Sequence, residues 1–150
     1  MLDPLLRRVI DPPLARLGRC LAAAGVGADA LTVAGFVCGL AAAAALAVRA
    51  DLLALALILA NRLFDGLDGA VARVRGPSDF GGYLDIVCDF VVYAVFVLGF
   101  AVGRPEHALW AAALIASFFC SGGSFLAFAI IAAKRGLETS GRGRKSFFHA

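Results

Sequence analysis

The chain has 150 residues, of which 61% are hydrophobic and 17% charged, with a formal net charge of +3. A soluble domain carries roughly 25% charged residues, so this composition and a mean hydropathy of +0.88 exclude an ordinary water-soluble globule and predict an all-α integral membrane protein. The apolar runs are continuous and lack the two-residue alternation of a β-barrel, and Cys20, Cys38, Cys88 and Cys120 are scattered without a C-x-x-C pair, which argues against a disulfide framework or a thiolate metal site.

Residues 1–28 precede the first span. Leu5, Leu6, Val9, Ile10, Leu14, Leu17 and Leu21 recur there at near-helical spacing, with Arg7, Arg8, Arg16 and Arg19 on the other side. This pattern predicts an interfacial amphipathic helix, broken or bent at Pro12-Pro13. Residues 31–48 are uncharged and reach about 27 Å as a helix, enough to span. Asp29 or Thr32 is expected to cap that helix. Gly35, Gly39 and Ala43 repeat at every fourth position, a stripe against which another helix can approach closely.

A second helix is predicted over 52–74. Its first half, 52–60, is apolar, but its second half carries Asn61, Arg62, Asp65, Asp68 and Arg73. Such a face must line a wet or ion-filled cavity. Gly76-Pro77-Ser78-Asp79 reads as a turn. A third span, 82–102, has Asp85 and Asp89 in its first turns and ends at Gly103-Arg104-Pro105. The fourth, 109–133, is uncharged, with a kink expected at Gly122-Gly123. Residues 134–150 form a basic tail suited to anionic lipid head groups. Tyr83 and Trp110 suit interfacial anchors, and neither His107 nor His149 sits in a ligand pattern.

With the N-terminus inside, the inner segments hold Arg7, Arg8, Arg16, Arg19, Arg73, Arg75, Lys134, Arg135, Arg142, Arg144 and Lys145, and the outer ones only Arg49 and Arg104. This asymmetry places the junction of the second and third helices, and its aspartates, on the cytoplasmic side. A bacterial-type inner (cytoplasmic) membrane is the expected location.

The aspartates carry the chemistry. One charge at mid-bilayer costs roughly 3 kcal/mol on insertion scales, and four cost on the order of 10 kcal/mol unless they find partners. Asp65, Asp68, Gly69, Ala72 and Arg73 share a helical face with Asn61 and Arg62, and Asp85 and Asp89 lie one turn apart with Gly81 a turn before them. Two antiparallel helices joined by a tight turn thus point four carboxylates into one space. Oxygen ligands without His or Cys favour Mg²⁺, Mn²⁺ or Ca²⁺ over zinc, and four carboxylates suit a two-metal site of the kind that manages phosphate chemistry. Arg73 adds a cation for phosphate. Gly69, Ala72 and Gly81 are expected to leave open space for a bulky ligand. The acidic cluster alone also suits a membrane proton or ion transporter, and a third reading pairs Arg62 with Asp65 and Arg73 with Asp68 or Asp79 while leaving Asp85 and Asp89 unmatched.

The pattern Asp65-x-x-Asp68-Gly69-x-x-Ala72-Arg73 … Gly81-x-x-x-Asp85-x-x-x-Asp89 resembles the signature of the CDP-alcohol phosphatidyltransferases. That resemblance implies transfer of a phosphoalcohol group, usually phosphatidyl from CDP-diacylglycerol, to a water-soluble acceptor alcohol with release of CMP, in phospholipid biosynthesis. It implies that Asp65, Asp68, Asp85 and Asp89 hold Mg²⁺ or Mn²⁺, with Asp89 also the general base. Gly69, Ala72, Arg73 and Gly81 would form the nucleotide site. It further implies a homodimer among membrane lipids, with no nucleic-acid partner. Two departures stand out. Seven residues separate Arg73 from Gly81, where the family usually has eight or nine. The family also usually has six spans after its interfacial helix, against four predicted here, so the last two spans are expected to be missing. The acceptor is not legible in the motif.

Overall fold

A computed structural model of the chain describes residues 3–136, with side chains from residue 10 onward. The described residues form five α-helices, α1 (Asp3–Ala23), α2 (Ala28–Ala47), α3 (Asp51–Arg75), α4 (Asp79–Gly103) and α5 (Ala108–Lys134), with a short 3-10 turn at Pro105–His107 and no strand. The greater part of the basic tail lies outside the described residues.

The predicted break at Pro12-Pro13 does not occur, and α1 runs through both prolines. Proline costs a helix a hydrogen bond and a steric clash, but here tertiary packing holds the helix together. Leu14 lies over Gly66, and Gly18 sits so close to α3 that a side-chain carbon there would come within 2.6 Å of Ala70 Cβ. Leu14, Leu21 and Ala22 join the core formed by Leu31, Leu67 and Val71. The helix ends in a Schellman motif. The Val26 N–H donates to the Leu21 carbonyl and Gly25 N–H to Ala22, with Gly25 at a φ of 89° that glycine adopts without strain.

α2 is the central post, in contact with both α3 and α4. Neither expected cap serves it. Gly27 is the N-cap and no side chain closes the end, because Thr32 is already buried in the helix and bonded elsewhere. The small-residue stripe is filled from within the chain. Gly35 faces Phe64, Gly39 faces Val92, and Gly99 of α4 rides on the Ala43 backbone. The stripe therefore brings α3 and α4 onto α2 and offers no surface to a second copy. α5 runs unbroken through Gly122-Gly123, with Gly122 against the Phe90 ring.

Two reciprocal arginine contacts staple the end of the bundle remote from the aspartates. Arg49 occupies the left-handed position of a second Schellman turn (φ 59°), a place a non-glycine residue takes at a cost of about 1 kcal/mol. From there its Nε donates to the Gly103 carbonyl at the end of α4, and its Nη2 lies 3.9 Å from Glu106. In the other direction, Arg104 Nη2 donates to both carboxylate oxygens of Asp51 at 2.9 and 2.7 Å. Its guanidinium also stacks over Phe100.

Among the described residues, three segments are long and apolar enough to cross a membrane: Ala28–Ala47, Asp79–Gly103 and Pro105–Lys134. The sequence pattern predicts four spans, and α3 is the difference. Its 25 residues reach about 37 Å, but its polar half lowers its hydropathy. That polar face turns inward while Leu52, Leu55, Leu59 and Leu63 stay exposed, as a helix lining a cavity and facing lipid requires. The protein is an all-α integral membrane protein.

Gly99→Val forces methyl groups into the α2 backbone and is expected to lower stability by about 1–3 kcal/mol, read as an earlier thermal transition in detergent. Gly123→Ala, with nothing within 4 Å of the added carbon, is expected to hold or raise that transition. Equal behaviour of the two variants would contradict the packing described.

Candidate active site

The α3–α4 connection is short, and its chemistry sets the register of the site. Gly76 leaves α3 at a φ of 96°, Pro77 follows, and Ser78 caps α4 by accepting the Gly81 N–H at 3.0 Å. α4 accordingly begins at Asp79, three residues before its predicted start. The tight turn returns the chain antiparallel, so that one carboxylate oxygen each from Asp65, Asp68 and Asp85 lies within 4.8 Å of the others. Thr32, Gly35 and Phe36 of α2, Asn61 of α3, and Cys88, Asp89 and Val92 of α4 complete the cleft around them.

Asp68 is the buried member of the trio, 6% exposed. The Thr32 hydroxyl donates to its Oδ2 at 2.7 Å. At the floor, buried Asn61 donates to the Gly35 carbonyl at 2.8 Å and accepts from Arg62 Nε and Nη2. Arg62 Nη2 also donates to Asp89 Oδ1 at 2.9 Å, and Nη1 to the Tyr93 hydroxyl at 2.9 Å. This network joins all three helices beneath the carboxylates.

The donor set suits a hard divalent cation. All three ligands are oxygens, as Mg²⁺, Mn²⁺ and Ca²⁺ prefer. In an octahedral shell with bonds of about 2.1 Å, cis ligands stand about 3 Å apart and trans ligands about 4.2 Å, so a trio within 4.8 Å of one another must draw inward by up to about 2 Å to share one ion.

The sequence profile of CDP-alcohol phosphatidyltransferases matches residues 26–147. The chain belongs to the CDP-alcohol phosphatidyltransferase family. It is 45% identical over 150 residues to the inner membrane protein YnjF of Escherichia coli, covering 99% of this chain and 73% of that protein. It is also similar to the archaetidylinositol phosphate synthases of Pyrococcus horikoshii, 35% identical over 99 residues, and Methanothermobacter thermautotrophicus, 37% identical over 101. Those matches cover 65% and 67% of this chain and 53% and 48% of the two synthases, so the aligned part is about half of each archaeal protein. No solved structure matches the chain with comparable significance.

Set against this family signature, the structure brings Asp65, Asp68 and Asp85 together. Asp85 meets the α3 pair, and Gly81 lies one turn before it on α4. Asp89 lines the same cleft but stands outside the trio and pairs with Arg62. The pairing expected within α3 is also present, with Arg62 Nη1 3.9 Å from Asp65 Oδ2, so what the structure changes is Asp89, which is matched rather than left alone. Gly69 is open, with only Arg73 Nη1 near the place of a side-chain carbon, at 3.6 Å. Ala72 is half-buried one turn beyond Asp68, and Arg73 is exposed at the rim. Gly81 does not leave the expected open space. A carbon added there would stand 2.9 Å from both Asp29 Oδ1 and Ser78 Oγ, because the start of α2 leans across the start of α4.

The residues missed from sequence are the α2 partners. Asp29 and Thr32 were candidates for a cap, and their true neighbours lie about 50 and 36 positions away in the chain. The signal that existed was chemical. Thr32 is a hydroxyl on an otherwise apolar span, and such a group needs an acceptor.

Asp85→Asn is expected to weaken Mn²⁺ binding at least about tenfold by titration calorimetry in detergent, whereas Asp79→Asn, in the first turn of the same helix but outside the trio, leaves it unchanged. Thr32→Val removes the donor to buried Asp68 and is expected to cost about 1–3 kcal/mol of stability, read by thermal or denaturant unfolding.

Proposed function

We propose that the protein transfers a phosphoalcohol group, such as phosphatidyl, from a CDP-alcohol to an acceptor alcohol and releases CMP. The meeting of Asp65, Asp68 and Asp85 at the α3–α4 junction carries this reading, and family membership gives it a reaction. Asp65, Asp68 and Asp85 would hold the divalent cation, Mg²⁺ or Mn²⁺, with Asp89 near enough in the cleft to contribute to a second. A cation bound there supplies positive charge opposite the diphosphate oxygens.

The chain's own residues do the remaining work. Open Gly69 and half-buried Ala72 give the nucleotide a place on α3, Arg73 meets phosphate charge at the rim, and Gly81 borders the site from α4. Asp89 accepts the proton of the acceptor hydroxyl. The acceptor oxygen forms a bond to the lipid-side phosphorus, the bond from that phosphorus to the bridging oxygen breaks, and CMP leaves with the electron pair. The site would face the cytoplasm, where the positive-inside asymmetry puts the α3–α4 turn, and the similarity to YnjF supports an inner-membrane location. A homodimer remains part of this reading, with a contact surface other than the Gly35, Gly39 and Ala43 stripe, which α3 and α4 occupy.

Purified protein in detergent or vesicles is expected to release CMP from CDP-diacylglycerol or its archaeal ether-lipid analogue only when Mg²⁺ or Mn²⁺ and the right acceptor are present. A panel of glycerol phosphate, inositol phosphate, serine and inositol identifies the acceptor. Asp85→Asn and Asp89→Asn should each lower the rate about 100-fold or more. Nucleotide-independent proton flux through vesicles, with no CMP released under any condition, would replace the enzyme by a transporter.

A further inference from the structure

Asp89 has a dedicated partner. Arg62 Nη2 donates to Asp89 Oδ1 at 2.9 Å, and Nη1 donates to Tyr93, one turn further along α4. The guanidinium carbon also lies 5.1 Å from the Tyr93 ring centre. Arg62 is itself held. Its Nε and Nη2 both donate to Asn61 Oδ1 at 2.9 and 2.7 Å, and Asn61, only 4% exposed, is pinned to the Gly35 carbonyl of α2. A guanidinium is a planar fork whose direction is set once two of its edges are bonded. The direction chosen here brings the guanidinium to hydrogen-bonding distance of Asp89, while its contact with Asp65 is the longer ion pair at 3.9 Å.

The consequence lies in what Asp89 is kept from doing. It lines the cleft with the other three carboxylates, yet the mutually close set comprises Asp65, Asp68 and Asp85. A fourth carboxylate beside a divalent ion is drawn to it by Coulomb attraction. We propose that Arg62 is a positioning residue that holds Asp89 out of the trio's cation site, by neutralising its charge and engaging Oδ1, so that its other oxygen is left for the acceptor hydroxyl. The role of the acceptor in this statement rests on the transfer reaction proposed above. The separation of Asp89 from the cation site does not, and it is tested without substrate.

The test is a double-mutant cycle on Mn²⁺ affinity, measured by titration calorimetry or by the paramagnetic resonance of free Mn²⁺, on the full chain in detergent. Arg62→Gln removes a cation beside the site and frees Asp89, so Mn²⁺ is expected to bind about fivefold or more tightly. Asp89→Asn strands the Arg62 charge and is expected to weaken binding by about as much. The double variant Arg62→Gln/Asp89→Asn loses one charge of each sign and is expected to return to within about twofold of the parent. Arg62→Lys, which keeps the charge, should also stay within about twofold, and Arg62→Met is a second neutral variant with the expectation of Arg62→Gln. A general loss of structure would weaken binding in every Arg62 variant, which would overturn the proposal. So would neutral variants that bind no more tightly than the parent. A double variant as weak as Asp89→Asn would make Asp89 a ligand of the trio's own cation in the resting chain and also overturn it.

In the transfer assay Arg62→Gln should lower kcat about tenfold or more and leave KM for the CDP-alcohol within about threefold, with partial recovery in Arg62→Lys. If the parent protein transfers nothing, the functional reading fails, while the Mn²⁺ cycle still decides the assignment of Arg62.

Discussion

The structure depends on keeping like charges close together in a medium that resists them. Two unit charges about 4 Å apart repel by about 4 kcal/mol at an effective dielectric of 20, and Asp65, Asp68 and Asp85 bring their oxygens within 4.8 Å of one another. No carboxylate adopts such a neighbourhood for its own stability. The helices must be pressed into it by contacts made elsewhere, and the cluster must recover some of the cost from hydrogen bonds. Thr32 supplies one at Asp68, and Arg62 supplies a counter-charge at Asp89.

The pressing is done by backbone. Glycines at positions 35, 39, 99 and 103 let α2, α3 and α4 approach until side chains meet main chain. This is the kind of contact that drives helix association where lipid removes the hydrophobic effect. Beyond them, the crossed bonds of Arg49 to the end of α4 and Arg104 to the start of α3 tie the two loops together. At that end Arg49, Asp51 and Arg104 are paired across the loops, with Arg104 Nη1 alone of the buried side-chain polar atoms described left without a hydrogen bond, and the helices close. At the other end a cleft remains among the same three helices. One rigid unit is thus tight where nothing must enter and open where charges gather. Pre-set geometry of this kind limits the movement a site would need to accept an ion.

How much of this was legible follows from the range of each interaction along the chain. The register of Asp65, Asp68, Asp85 and Asp89 is local, a matter of helical period and one short turn, and the motif could be read directly. The end of α4 was legible because Gly103-Arg104-Pro105 breaks a helix by its own chemistry. The continuity of α1 was not, since two prolines argue locally for a break and only the contacts of Leu14 and Gly18 with α3 outweigh them. The stripe on α2 announced a close neighbour without saying whose. The pairing of Arg62 with Asp65 was legible and is present, but its closer partner was not, for a related reason. Its spacing to Asp65 is ideal within one helix, but Asp89 on α4 offers the shorter contact once Asn61 has turned the guanidinium. Short-range rules rank partners within an element correctly and say nothing of partners across it.

The two arginines of the α3 face give the site a direction. Arg62 and Arg73 are eleven residues apart, about 16 Å along the helix and only about 20° around it. The two arginines therefore lie on nearly one line, with Asp65 and Asp68 between them in height and about 60° and 120° around the helix from Arg62. Arg73 is exposed at the rim and Arg62 half-buried at the floor, so in height along the helix the charges run positive, negative, negative, positive from mouth to base. For the transfer proposed here, that order divides two kinds of negative charge. The anionic diphosphate of a nucleotide meets Arg73 before it meets carboxylates, and a cation seated among the carboxylates turns their region from repelling to attracting. Arg62 is too deep to serve the entering nucleotide in that way and is already committed to Asp89. A single basic residue at the rim would attract phosphate but leave the fourth aspartate free to collapse onto the cation. A single one at the floor would hold the aspartate but leave the mouth negative. The chain carries both on one helix, and each covers the failure the other would leave.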